Sequence, residues 1–283
     1  MLKTFSRSFF PAAWLGWQIE SNWTDPFLFL AFSIVKPIAS VMILVFMFRA
    51  VSGPHTDPNI YSYIYLGNAF YIYVGAVMAG GSYSILDDRE RYRTLKYIYI
   101  SPINIPVYLF GRAVARFVTG TIAVIITLLA GTIFFGIPIN LLTIDWPLFL
   151  AAMILGVLCL TFMGIALGAW TLTIRTEPWF VGDATAAALY LFSGAIFPLT
   201  ILPIWLRPFG YALPVTYWLE LIRRAILGAN ATAFPALAMF SNTQLFGLLI
   251  GLTIVFGFIA FFLFRFFDRR ARDLGLIDAQ SNF

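Results

Sequence analysis

Residues 146–174 read WPLFLAAMILGVLCLTFMGIALGAWTLTI, and this stretch contains no charged residue. A helix needs only about 20 apolar residues to cross a hydrocarbon core roughly 30 Å thick. The stretch therefore predicts a transmembrane helix. Five further apolar runs predict five further spans, at residues 27–48, 60–84, 106–136, 179–199 and 244–267.

The composition agrees with a chain that is surrounded mostly by lipid. Hydrophobic residues make up 61% of it and charged residues 11%, whereas soluble globular domains average about 45–50% and about 25%. The apolar runs are continuous and do not alternate every second residue, as strands of a membrane β-barrel do. The predicted fold class is all-α, a polytopic membrane protein with about six transmembrane helices.

The segments outside the spans complete a single predicted transmembrane domain, residues 1–283. Residues 1–25 carry aromatic side chains on one helical face and predict an amphipathic interface helix; these are Phe5, Phe9, Trp14 and Trp17. Spans one to five fill residues 27–199. Residues 200–243 are apolar but broken by prolines, which predicts two short outer re-entrant helices. The sixth span, 244–267, is followed by a predicted cytoplasmic tail, 268–283.

The basic residues predict the orientation, because cytoplasmic loops carry an excess of lysine and arginine. One side of the predicted layout holds 13 of them and the other side holds 4. The larger set is Lys3, Arg7, Arg89, Arg91, Arg93, Lys96, Arg112, Arg116, Arg175, Arg265, Arg269, Arg270 and Arg272, and the smaller is Arg49, Arg207, Arg223 and Arg224. Both termini are therefore predicted to be cytoplasmic, and the net charge of +5 calls for no nucleic acid partner.

The chain lacks the residues that several kinds of catalytic or metal site require. The one histidine, His55, and the one cysteine, Cys159, cannot form a histidine-based nucleophile or a cysteine–histidine metal cluster. None of the three lysines follows a glycine, so the chain contains no G-x-x-x-x-G-K phosphate loop. These observations argue against an enzyme and against ATP hydrolysis by this chain.

Polar or aromatic residues in or near the spans are candidates for a transport pathway, since buried charges in membranes are costly. The candidates are Lys36, Tyr71, Asp183, Phe192 and Phe197. Lys36 either faces a wet cavity or extends towards the headgroups. Asp183 either pairs with a basic neighbour such as Arg175 or lines the pathway. Tyr71 belongs to a tyrosine-rich stretch that is either an interfacial aromatic belt or a stacking surface for a glycan or lipophile.

Two glycine pairs allow close approach of helices, Gly164 with Gly168 and Gly247 with Gly251. Pairs of small residues four positions apart are common where membrane helices pack. They indicate packing within the chain or a seam between two copies.

The connection between the second and third spans is charged and ends at a proline. Residues 85–102 read ILDDRERYRTLKYIYISP. From the residue types alone, this segment is a solvated helical connector or a docking surface for another protein.

A second motif surrounds the end of the fifth span. Residues 192–208 read FSGAIFPLTILPIWLRP, and LPVTY follows at 213–217, with Arg223 beyond it. The motif residues are Pro198, Pro203, Trp205, Pro214 and Tyr217.

Both motifs resemble the permease subunits of type-2 ATP-binding-cassette (ABC) exporters. In the first motif the matches are Glu90, Thr94-Leu95 and Ser101-Pro102. That family usually has glycine and glutamate where this chain has Arg93 and Lys96. The second motif is similar to the family pattern around the fifth span and the outer re-entrant helices.

The resemblance implies that a separate ABC nucleotide-binding subunit docks on a coupling helix near residues 85–102. The contact residues would be Arg89, Glu90, Arg91, Arg93, Thr94 and Leu95. That partner would bind ATP and Mg, so no cofactor is expected in this chain. A second permease copy or a related permease would complete the pathway, in the lipid of a prokaryotic plasma (inner) membrane.

The expected function is a permease subunit of an ATP-driven exporter that moves a lipophilic drug-like molecule or a lipid outwards. A polysaccharide or glycolipid exporter of the same fold is the alternative. The segment before the first span, ESNWTDP at 20–26, is acidic and polar. Polysaccharide exporters of this type tend to be basic there, so the segment favours the lipophilic substrate. An ion channel or a membrane-embedded enzyme is a more distant alternative.

Overall fold

The computed structural model describes residues 2–21, 58–137, 139–228 and 237–277, together with separate helical positions between 35 and 47. Every regular element in these ranges is a helix. Lys36, His55 and most of the predicted first span lie outside the described residues. The chain is an all-α polytopic membrane protein.

Four long helices within the described ranges are apolar enough to cross a membrane. The first runs from Pro58 to Arg91 in four successive segments, α2 (Pro58–Tyr73), π1 (Val74–Ala79), α3 (Gly80–Leu86) and π2 (Asp87–Arg91). The others are α5 (Ile105–Phe135), α6 (Trp146–Thr171) and α10 (Asn242–Asp273). They match the second, third, fourth and sixth predicted spans, but the first of them continues seven residues beyond the predicted end at 84.

Local capping residues explain where these helices begin and end. The side chain of Asn104 accepts a hydrogen bond from the amide of Val107 at the start of α5, and α5 ends before Gly136, at φ +64°. Asp145 caps α6. Ser241 and Gln244 form a reciprocal capping box at the start of α10.

The α10 helix extends to Asp273, beyond the predicted end of the sixth span at 267. Arg270 and Arg272 lie in its last turn, where cations interact favourably with the helix dipole. Residues 268–273, expected to belong to the tail, therefore continue the helix.

The fifth predicted span, 179–199, is a shorter helix, α7 (Phe180–Phe192). The chain turns after it, because Gly194 adopts a left-handed conformation with φ +72°. Arg223 Nη2 donates to the carbonyls of Gly194 and Ala195 at 3.0 and 3.1 Å. These bonds satisfy backbone carbonyls at the end of α7, and a longer helix could not have paired that of Gly194, because residue 198 is a proline without an N–H.

Residues 199–228 fold back among the long helices. A 3-10 turn (Leu199–Ile201) precedes α8 (Arg207–Ala212) and α9 (Pro214–Leu227), and α9 is buried along its whole length. A Cβ atom placed on Gly156 would collide with Trp218 of α9. Gly156 lies ten residues into α6, which corresponds to about 15 Å along the axis. The segment predicted to be re-entrant therefore reaches well inside the bundle.

The first helix, α1 (Leu2–Ser21), packs along the beginning of α5 through small side chains. Ser8, Ala12 and Gly16 are buried, and a Cβ atom on Gly16 would lie 2.8 Å from that of Ala115. The large Trp14 is 63% exposed on the other side. The helix is thus two-sided, with small residues towards the protein.

The glycine pair in α6 packs within the chain. A Cβ atom on Gly81 of α3 would collide with the backbone of Gly164, and one on Gly168 would lie 2.8 Å from the carbonyl oxygen of Gly81. These glycines let α3 and α6 approach with their backbones nearly in contact. Gly247 and Gly251 have no described atom within that reach, so their pair faces away from the described bundle.

Candidate functional site

The charged connection between α3 and α5, residues 87–104, is called the link segment below. The end of the bundle where it lies is the charged end, and the opposite end, which carries α8 and α9, is the far end. The link segment is not the single helix expected for residues 85–102. It consists of π2, a break at residues 92–94 and the short helix α4 (Leu95–Ile100).

Two backbone features produce the break. Arg93 adopts a left-handed conformation with φ +54°, which interrupts a right-handed helix. The Thr94 amide then donates to the Asp88 carbonyl at 2.8 Å and closes the turn. Arg93 stands where the resembled exporters usually have glycine, the residue that adopts this conformation most easily. Ser101 is extended before Pro102, as is usual for a residue preceding proline.

Burial divides the link segment into two faces. The inner face includes Asp88, Arg89, Leu95 and Ile98, which are all buried. The outer side chains are exposed and combine three cations with two tyrosines and an isoleucine. This basic face comprises Arg91, Tyr92, Arg93, Lys96, Tyr97 and Ile100.

Arg89, expected to contact a partner, belongs to the inner face and is 4% exposed. Its guanidinium donates to the carbonyls of Thr171, Leu172 and Ile174 at 3.2, 3.4 and 3.0 Å. Its Nε lies 3.0 Å from Glu90 Oε1. Arg89 therefore fastens the link segment to the end of α6, where helix carbonyls lack internal partners.

Thr94 and Leu95, also expected to contact a partner, have internal roles. The Thr94 amide closes the turn, and Leu95 is 1% exposed within a cluster formed by α1, α5, α6 and α10. Of the six expected contact residues, only Arg91 and Arg93 are exposed, whereas Glu90 is partly exposed beside Arg89.

A buried ion pair joins the link segment to α5. Asp88 Oδ1 lies 3.0 Å from Arg112 Nη1, and the two side chains are 1% exposed. The Tyr108 hydroxyl donates to Asp88 Oδ2 at 2.7 Å and accepts from Arg112 Nη1 at 3.1 Å. A second network lies beside it, in which Arg116 Nη2 is 3.3 Å from Asp87 and 3.1 Å from Glu20 of α1.

The count of positive charges along the sequence does not indicate these pairs. A signal was present: Asp87 and Asp88 are adjacent, and Arg112 and Arg116 are one helical turn apart. Two acidic and two basic residues at the same predicted depth in the membrane indicate ion pairs, since an unpaired charge at that depth is costly.

Tyr99 joins the link segment to α10. Its hydroxyl donates to Asp268 Oδ1 at 2.8 Å, and the Arg272 guanidinium lies 4.8 Å from the centre of its ring. Burial, and then the bond to Asp268, raise the pKa of Tyr99 above its ordinary value. The phenol therefore stays protonated and keeps donating at physiological pH.

The far end holds a second buried polar cluster, around α9. Arg223 Nε donates to the Tyr63 carbonyl at 3.0 Å, and its guanidinium lies 3.8 Å from the centre of the Tyr63 ring. The Tyr63 hydroxyl donates to Glu220 at 2.5 Å, and Glu220 also pairs with Arg224 at 3.0 Å. This cluster holds α9 against α2.

Residues of the second motif lie in and around α8 and α9. Pro214 is buried in the first turn of α9, and the buried Tyr217 donates to the Tyr211 carbonyl at 2.7 Å. Pro198 precedes the 3-10 turn. Pro203 and Trp205 are exposed, the latter by 72%.

The four candidate pathway residues that the structure describes are not gathered into one site. Tyr71 is buried against α7, with its hydroxyl 2.5 Å from the Ala186 carbonyl. Asp183 is exposed near the start of α7, within hydrogen-bonding reach of Tyr83. Phe192 is half-buried, with its ring 6.0 Å from that of Phe209, and Phe197 is half-buried in the turn that follows.

Within the described ranges, no three His, Cys, Asp or Glu residues lie together as metal ligands would. The charged clusters at both ends are ion-paired and serve to hold helices together. The basic face is therefore the candidate functional surface of the charged end.

The family model for the ABC-2 type transporter membrane domain matches residues 13–227, about three quarters of the chain. No curated protein matches the chain.

Proposed function

Since this chain belongs to the ABC-2 type transporter family, we propose that its basic face docks the ATPase subunit of an ATP-driven exporter. The family makes the chain the membrane permease of an ABC transporter. The single observation that carries the proposal is the division of the link segment, which has an anchored inner face and an exposed basic outer face.

The basic face has the composition of a protein-binding surface. Tyr97 is 60% exposed and Ile100 81%, although both are large and apolar. Aromatic and arginine side chains are enriched where binding energy concentrates in interfaces. Arg91, Arg93 and Lys96 add positive charge, which gives orientation and specificity towards an acidic partner surface.

The inner face supports a transmission role. Arg89 connects the link segment to α6, Asp88 connects it to α5, and Tyr99 connects it to α10. A segment joined in this way to three long helices carries them along when it moves. Two nucleotide-binding subunits would bind ATP and Mg and come together. Their movement would change how two permeases pack against each other as rigid bodies.

The orientation belongs to the same proposal. The charged end holds the exposed Arg91, Arg93, Lys96, Arg175, Arg269, Arg270 and Arg272, whereas Arg223 at the far end is buried. The excess of exposed cations supports a cytoplasmic charged end in a prokaryotic inner membrane, with both termini inside.

The substrate proposed for the exporter is a lipophilic drug-like molecule or a lipid. The far-end surface supports it, because Trp205 and Phe209 are large, apolar and 72% and 61% exposed. A second copy of this chain, or a related permease, would enclose the path. A polysaccharide or glycolipid is the competing substrate, which aromatic side chains would bind by stacking.

The test is co-expression with an ABC nucleotide-binding subunit encoded beside the permease, affinity purification and an ATPase assay in lipid. We expect a stable complex whose ATPase depends on lipid. Arg91→Glu/Arg93→Glu should reduce the co-purified ATPase by roughly tenfold or more, because reversed charges oppose docking.

Arg175→Glu is the matched control, since it reverses an exposed arginine of the same end outside the link segment. Its complex should be unchanged. Equal assembly and equal transport in the double variant and the wild type would refute docking at the basic face.

A further inference from the structure

A groove of about 510 Å³ lies at the charged end, between α6, α10 and the start of α5. Its wall away from the charged end is apolar and is formed by Phe162, Ile165, Gly257, Ala260, Phe261 and Phe264. Its mouth is lined by Arg265, Arg269 and Arg272 and by one acidic residue, Asp268.

Asp268 does not neutralise the positive charge at the mouth of the groove. One oxygen of Asp268 accepts from Tyr99 at 2.8 Å and the other accepts from Arg272 Nε at 3.2 Å. Among the described residues, no carboxylate lies within salt-bridge distance of Arg265 or Arg269. The groove therefore keeps two cationic side chains without an acidic partner in that part of the chain.

The arrangement of the arginines follows the helix. Residues 265, 269 and 272 recur every three or four positions and so share one side of α10. The Arg265 guanidinium lies 4.5 Å from the centre of the exposed Phe261 ring, one turn nearer the apolar wall. Charge and apolar surface are thus adjacent, and the groove is open at the side of the bundle that the described residues form.

We propose that this groove binds one anionic glycerophospholipid, with its phosphate at Arg265 and Arg269 and an acyl chain along the apolar wall. Guanidinium groups bind phosphate with strong, charge-assisted hydrogen bonds. Basic pockets between membrane helices at the level of the headgroups bind anionic lipids. The apolar wall, about 12 Å long from Gly257 to Arg265, distinguishes a lipid from free phosphate.

The geometry also gives the lipid a structural role. Arg272 lies over Tyr99, which joins α10 to the link segment. A lipid in the groove touches α6, α10 and the start of α5 together. This site is separate from the basic face and does not depend on docking there.

The test is native mass spectrometry of the purified full chain after exchange into detergent, titrated with dioleoyl phosphatidylglycerol or dioleoyl phosphatidylcholine. The wild type should retain phosphatidylglycerol preferentially. Arg265→Gln/Arg269→Gln should weaken its binding roughly 30-fold, from about fivefold for each basic residue that contacts an anionic lipid, and should leave phosphatidylcholine binding unchanged.

Two further variants complete the test. Arg175→Gln removes an exposed arginine of the same end and should have no effect. Gly257→Phe fills the apolar wall beside Phe162, which would already lie 3.1 Å from an added Cβ, and should reduce phosphatidylglycerol binding although both arginines remain.

Folding of each variant can be monitored at Cys159, the one cysteine, which is buried and should stay unreactive. Equal affinity of the wild type for both lipids would overturn the proposal. So would undiminished phosphatidylglycerol binding by folded Arg265→Gln/Arg269→Gln or Gly257→Phe, and inorganic phosphate that competes with the lipid at equal concentration would show a plain anion site instead.

Discussion

Replacing Arg112 by methionine should destabilise the protein more than replacing any exposed arginine. The change leaves the buried Asp88 carboxylate with the Tyr108 hydroxyl as its remaining side-chain bond. Breaking a buried ion pair by removing one partner costs roughly 3–5 kcal/mol. For a chain of this size, that cost corresponds to a fall in melting temperature of about 5–8 °C.

A thiol-reactive dye provides the assay, because the one cysteine, Cys159, is 2% exposed and reacts only when the bundle opens. Arg112→Met and Asp88→Asn should each lower the melting temperature in detergent. The double variant should lose less than the sum of the two, by about 2 kcal/mol, as expected for residues in direct contact. Arg175→Met should stay within about 0.5 kcal/mol of the wild type. Equal melting temperatures of Arg112→Met and Arg175→Met would refute a structural role for the pair.

Three further variants probe other contacts. Gly81→Leu should abolish recovery of folded protein from the membrane, because even a Cβ atom there collides with Gly164; normal yield would contradict the close packing of α3 and α6. Arg223→Met should cost about 3 kcal/mol in the same dye assay, since it strips hydrogen bonds from buried carbonyls near Gly194, and an unchanged melting temperature would show that these carbonyls find other partners. Arg93→Gly should raise stability by up to about 1 kcal/mol, because glycine removes the cost of the left-handed conformation, and a clear loss would indicate that the Arg93 side chain is needed for folding.

The long helices were predictable because uninterrupted apolar runs leave few alternatives. The run at 146–174 became the helix Trp146–Thr171, and Asp145 caps it where the charge-free stretch begins. The resemblance to type-2 ABC permeases was confirmed by the match over residues 13–227. Hydropathy and motif spacing are local properties of the sequence, so both can be read without knowledge of the tertiary contacts.

Tertiary contacts account for what the sequence could not predict. Arg89 reads as part of a solvated charged segment, yet it is buried because carbonyls at the end of α6 need donors. Arg223, almost 30 residues after Gly194, binds the carbonyl that is left unpaired where the chain turns at the end of α7. Neither partner is visible within a sequence window around the residue concerned.

The candidate site was predicted in place but not in detail. The link segment lies where the coupling motif was expected, and Arg91 and Arg93 are exposed. In a single helix, Thr94 and Leu95 would share a face with the exposed Arg91, because they lie three and four positions after it. The break at Arg93 instead turns Leu95 inwards and leaves Tyr97 and Ile100, which the motif did not indicate, on the outer face.

The most direct test of the central claim is photocrosslinking from single positions of the permease in cells that also express the nucleotide-binding subunit. A benzophenone amino acid would replace Tyr97 or Ile100 of the basic face, or Trp205 at the far end as the exposed control. The account predicts covalent adducts with the nucleotide-binding subunit from Tyr97 and Ile100 and none from Trp205. Adducts from Trp205, or none from the basic face in a complex that still hydrolyses ATP, would contradict it.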